Sequence, residues 1–180
     1  GNIVKFSIPE NFSKNFPAND MVESVDLINV KIFSEYGGVL LLQRYWDFYT
    51  KGFFSKSAGT LQMTMVVKNA DASISRNIVL PDELIKVIAA DLKATHDAMN
   101  TNMKDNEKTR YSNLVDDFVE FRYNNQRWIR YNIWKDNDRE LTSVFAIPVT
   151  NQHYLTVAFA FAPSNILVMR DFIDGYAQQT

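Results

Sequence analysis

Cysteine is absent from all 180 residues. A chain without thiols has no disulfide, no thiolate metal site and no cysteine nucleophile. Histidine is nearly as scarce: His96 and His153 are scattered and too few for a multi-histidine metal centre. No apolar run reaches the length of a membrane-spanning helix, and the densest, Val39–Leu42, is strand-sized. Strong charge of either sign is missing too, since a formal net charge of -2 gives no long-range pull toward nucleic acid or anionic membrane. There is no glycine-rich phosphate loop, no paired-histidine helix motif and no Gly-x-Ser-x-Gly elbow. Together these absences predict no metal, no cofactor, no nucleic-acid partner and no integral membrane segment.

What is present is apolar and aromatic. Hydrophobic residues make up 46% of the chain and aromatic residues 13%, the composition of a folded globular protein. A length of 180 residues suits a single domain, 1–180, with a substantial core. The chain opens on Gly1 and not on methionine. A leader trimmed from upstream is therefore expected, either a signal peptide or a lipoprotein leader carrying its anchoring cysteine.

Alternation of apolar residues predicts strands over 3–8 and 27–33, then 39–48 after the Gly37-Gly38 turn, and over 60–68. In the last of these Leu61, Met63, Met65 and Val67 share a face. Pro81 then suits the first turn of a long helix over 81–99, with Asp82 and Glu83 at its positive end. Leu84, Ile85, Ile88, Leu92, Thr95 and Met99 recur at helical spacing as one buried stripe, opposite Lys86, Asp91, Lys93 and Asp97. Four more strand candidates follow, 115–123, 127–135, 140–149 and 153–162, separated by Asn- and Asp-rich turns. Ser164 can cap a terminal helix over 165–177, whose Ile166, Met169, Ile173 and Tyr176 form a second apolar stripe. The fold class is α+β: a mainly antiparallel sheet flanked by a long central helix and a C-terminal helix.

The run Asn124–Trp134 concentrates arginine and tryptophan. If Asn124-Asn125 forms a two-residue hairpin turn, Tyr123 faces Gln126, Phe121 faces Trp128 and Val119 faces Arg130. Val119, Phe121, Tyr123, Trp128, Arg130 and Trp134 then point one way. Phe118, Glu120, Arg122, Arg127, Ile129, Tyr131 and Ile133 point the other. Helices on both sides of the sheet would produce such a pair of amphipathic faces. Trp128, Arg130 and Trp134 are the candidate binding residues, forming a cleft for a planar or anionic ligand if Arg130 lies over an indole. The structural alternative is packing, with the Arg130 stem covering Trp128.

Other clusters carry less. Asp136-Asn137-Asp138 lacks the glycine and closing glutamate of a calcium loop. Glu120 is expected to pair with Arg127 or Arg122 across the hairpin. No spacing joins His96 or His153 to a serine and an acid, so no catalytic residue is assigned.

Three local patterns and the order of elements resemble the PsbP-like superfamily, which includes DcrB-like lipoproteins. The patterns are Phe6-x-Ile8-Pro9, the pair Arg127-Trp128 and Arg130-Tyr131, and His153-Tyr154-Leu155-x-Val157-x-Phe159. Residues 10–60 depart from that likeness. The resemblance implies an antiparallel sheet between helices, an α/β/α sandwich, and a largely non-enzymatic family that binds or stabilises partners. Two functions follow as expectations. One is a non-catalytic extracytoplasmic accessory or binding protein, the soluble part of a lipoprotein, acting on a protein or small molecule. The other is a small-ligand carrier or enzyme using the aromatic and arginine cleft.

Overall fold

The computed structural model describes residues 8–16, 18, 20–29, 31, 33, 37–49, 56–101, 118–135 and 140–164. In chain order these form β1 (Val39–Tyr49), β2 (Ser57–Asn69), α1 (Pro81–Asn100), β3 (Val119–Tyr123), β4 (Gln126–Lys135), β5 (Glu140–Pro148) and β6 (His153–Pro163). The strands make one six-stranded sheet in the order β1-β2-β6-β5-β4-β3. Every neighbouring pair is antiparallel. A hairpin and a four-stranded meander are thus joined edge to edge through β2 and β6, with α1 as the long connection. The class is α+β.

Register in the meander starts from two asparagines. Asn124 and Asn125 hold φ of 50° and 59°, the left-handed pair that a two-residue hairpin needs. The pairing that follows is Tyr123 with Gln126, Phe121 with Trp128 and Val119 with Arg130, as alternation predicts. At the start of β1 Gly37 (φ 65°) turns the chain into the strand, and Gly38 lies so close to Val66 and the Val67 carbonyl that a Cβ would sit 2.8 Å from each. Only glycine fits there without displacing the backbone of β2.

The sheet buries its two faces under different parts of the chain. On one, Leu84, Val87 and Ile88 of α1 pack with Ile129, Tyr131, Val144, Ala146 and Tyr154, and with Ile78 from the β2–α1 connection. On the other, Leu42, Trp46, Met63, Met65, Val67 and Leu155 pack with Phe33, and Ile8, Val25 and Leu27 of the leading segment lie against them. The leading segment also bonds along β1, Ser13 N–H to the Tyr45 carbonyl and Val22 N–H to the Leu41 carbonyl. That contact occupies part of an edge strand whose backbone groups would otherwise face water.

Several expectations need correction. Among the described residues of 27–33 there is no strand: Leu27 and Ile28 lie in a turn, and Lys31 and Phe33 are helical. Asp26 explains it, since its carboxylate accepts from Ile28 N–H and its carbonyl from Asn29 N–H, a local turn that competes with a ladder. Ile28 is 87% exposed. Residue Thr95 of α1 is exposed and Val87, not Thr95, completes the buried stripe. Asp91 belongs to the sheet-facing margin and not to the outer face, because Lys68 of β2 reaches it at 2.6 Å. Of the strand expected over 3–8 only Ile8 is described, and it is not in a strand. The helix over 165–177 lies outside the described residues.

Candidate functional site

The half of the sheet that the leading segment does not cover carries an open groove of ≈ 290 Å³ on the face opposite α1. Its walls are Phe121 and Tyr123 of β3, Trp128 of β4, Phe145 of β5, and Val157 and Phe159 of β6. All are on one face for the same reason, strand alternation carried across three registered pairs. The rings meet edge to face, Phe121 with Phe145 and Phe145 with Phe159, each at 6.0 Å between centroids. That geometry fixes the floor and leaves the ring edges toward the opening.

The lining carries almost no polar chemistry. Tyr123, 64% exposed at the rim, offers the one phenol. Trp128 offers an indole N–H that is buried and finds no hydrogen-bond partner. No carboxylate, imidazole or amine belongs to the wall. A surface of this kind holds an apolar group by area and shape, and gives proton transfer or nucleophilic attack no acid, base or nucleophile beyond a phenol.

Of the three residues expected to bind, Trp128 is in the groove wall. Arg130 shares its face, between Val119 and Phe145 in the register, and is half-buried at the margin without lining the cavity. It makes no cation–π contact with Trp128, whereas Arg44 lies over the Phe12 ring, 5.4 Å from its centroid. Trp134 pairs with Leu141 in the backbone, and its side chain is outside the described set. Beside Arg130 on the same face, Ser143 donates to Asn132 at 2.8 Å, so one margin of the apolar floor is polar. The other arginine of the run, Arg127, faces away and bonds Glu120 at 2.7 Å.

Sequence reasoning missed Phe145, Val157 and Phe159. The signal was Val157–Ala162, where small and large residues alternate. Ala158 faces α1 and lets the helix approach, while Val157 and Phe159 put their bulk on the groove side.

Three polar clusters lie elsewhere. Ser13, Thr60 and Asn15 donate to Asp47, and the Ser13 hydroxyl at 2.5 Å does most to hold its carboxyl below the usual range. Beneath α1, burial pushes the Tyr131 and Tyr154 phenols far up, and the Asp91 charge adds to it. His153 meets the Thr150 hydroxyl through Nδ1 at 3.0 Å and the Phe33 ring at 5.1 Å. Burial lowers its pKa. Each fastens one segment to the sheet. Among the described residues no three His, Asp or Glu side chains are grouped to hold a metal ion, and no helix is long and apolar enough to cross a membrane. Asp116, Asp117, Asp136 and Asp138 are outside the described residues. Comparison of the chain with protein-family models, curated proteins and solved structures gives no match.

Proposed function

We propose that this protein is a non-catalytic binding module whose groove receives an apolar group presented by a partner. The observation that carries it is the wall itself: five of its six side chains are wholly hydrocarbon or indole, gathered from four strands onto one face. A rigid aromatic floor loses little entropy on contact and contributes most of its stabilisation through buried area. Arg130 at the margin favours an apolar group flanked by an acidic one. It also keeps the carrier alternative in play, for an aromatic or aliphatic acid would satisfy the same two features.

In the same proposal residues 165–177 form a C-terminal helix flanking the sheet opposite α1, which completes an α/β/α sandwich. Membership of the PsbP-like superfamily, a place outside the cytoplasm and a lipid-anchoring leader upstream of Asn2 belong to it as well. The sandwich is supported by the open antiparallel sheet with its long helix; the superfamily, the place and the leader rest on the sequence alone.

The test is titration with the apolar dye N-phenyl-1-naphthylamine. Saturable binding at one site is expected, weakened about tenfold or more by Tyr123→Asp, which sets a charge at an exposed rim position where folding is not at stake. Uptake that Tyr123→Asp leaves unchanged would place the binding elsewhere.

A further inference from the structure

We propose that this protein pairs with a second copy of itself along β3, Val119–Tyr123, so that two six-stranded sheets become one. The inference goes beyond the groove's function and does not depend on what the groove holds.

β3 is an open edge of the sheet. At the opposite edge the leading segment bonds to β1, but no described residue bonds to the backbone of β3 on the side away from β4. Four of its five residues are exposed, and only Phe121 is half-buried. The direction of its backbone groups follows from the hairpin. At a two-residue turn the flanking pair, Tyr123 and Gln126, exchanges backbone hydrogen bonds, and such pairs alternate along the ladder. Val119, Phe121 and Tyr123 therefore direct their N–H and C=O groups to β4. Glu120 and Arg122 turn theirs to the open edge, as a template for another strand.

Charge on an edge strand ordinarily discourages pairing. Here the charges select one register. A symmetric antiparallel pair of β3 strands places one residue opposite itself on the two-fold axis. With Glu120 or Arg122 there, like charges meet, which destabilises a cross-strand pair. With Val119 or Tyr123 there, the strands overlap only at their ends. With Phe121 there, Glu120 of each copy faces Arg122 of the other, and both are residues whose backbone groups point outward. Phe121 then meets Phe121 on the groove face, and Val119 meets Tyr123. These two are 43% and 64% exposed in one copy, and the second copy would cover them. Arg122 gains most. It lies opposite Arg127 in the β3–β4 ladder, a like-charge pair, and Arg127 already engages Glu120 of the same chain at 2.7 Å. The carboxylate of the second copy would stand on the other side of Arg122.

Sedimentation equilibrium of the full chain tests this. The wild type should show a reversible monomer–dimer equilibrium. Glu120→Arg or Arg122→Glu alone should weaken it about tenfold or more, because both cross-strand contacts become like-charged. Both positions are exposed, so folding is not at stake. Mixed in equal amounts, the two variants should form a heterodimer with the affinity of the wild type, since each then meets its opposite. Joining both substitutions in one chain should restore the homodimer. A wild type that stays monomeric at every concentration overturns the proposal. A dimer that neither charge reversal weakens overturns it in favour of another face, and weakening without recovery in the mixture overturns the register and the proposal with it.

Discussion

Trp128→Phe should leave stability unchanged within about 1 kcal/mol or raise it, even though it shrinks a half-buried aromatic. Two terms oppose. Trimming a few ring atoms costs about 0.5–1.5 kcal/mol, the lower part of the range for core deletions, because the groove is open and no closed cavity forms. Against that, the Trp128 indole N–H is buried without a partner, and a buried unsatisfied donor costs about 1–3 kcal/mol. Phenylalanine removes the donor and keeps a ring opposite Phe121. Trp128→Ala removes both and should cost about 3 kcal/mol, the low end for such truncations, since one side of the ring is open. The next residue supplies the comparison. Ile129 points to the α1 face and is 1% exposed, so Ile129→Ala should cost about 2–5 kcal/mol. Urea unfolding followed by far-ultraviolet circular dichroism gives all three values without depending on the altered fluorophore, provided the m-values agree. A loss above about 2 kcal/mol for Trp128→Phe at unchanged m would refute the reasoning, for it would mean that the indole N–H is satisfied.

Two further outcomes follow from local geometry. Asn125, at φ 59°, should tolerate Asn125→Gly with no loss, whereas Asn125→Ala should cost about 1 kcal/mol for a left-handed backbone; equal urea midpoints for the two variants would contradict a turn-imposed register. Burial holds the His153 imidazole below its ordinary pKa of 6.5, so on acidification the unfolded chain takes up this proton first. The stability His153 contributes is therefore complete above pH 6.5 and lost as pH falls through the folded pKa. Midpoints measured on both sides of pH 6.5 should diverge less for His153→Gln than for the wild type.

Legibility in the sequence tracked how local the cause was. The β3–β4 register needed only two asparagines and strict alternation, and both are written in consecutive residues. The start of α1 was legible in the same way, from Pro81 and the acids behind it. Residues 27–33 misled because their alternation is real while Asp26 closes a turn across it. Asp91 misled because helical spacing places it on a polar margin without saying that Lys68, 23 positions earlier, comes up beneath it. The groove was least legible. It depends on four strands meeting in one order, and the pairing of β2 with β6 that fixes this order is set by no motif.

The density of arginine and tryptophan in Asn124–Trp134 suggested one site, and the sheet divides it. Arg127 lies with Glu120 on one face, Trp128 and Arg130 lie on the other, and Tyr131 and Ile129 are core under α1. A cluster in sequence is therefore not a cluster in space when the period is two residues. What gathers at the groove instead comes from four strands, each giving one or two apolar side chains. Such a surface has a cost in water unless something covers it, since contiguous apolar patches on soluble chains are rare without a partner. The leading segment solves that problem for the β1–β2 half by lying on it. The other half poses the same problem with the same chemistry. On the function proposed for the groove, the apolar group of a partner is that cover.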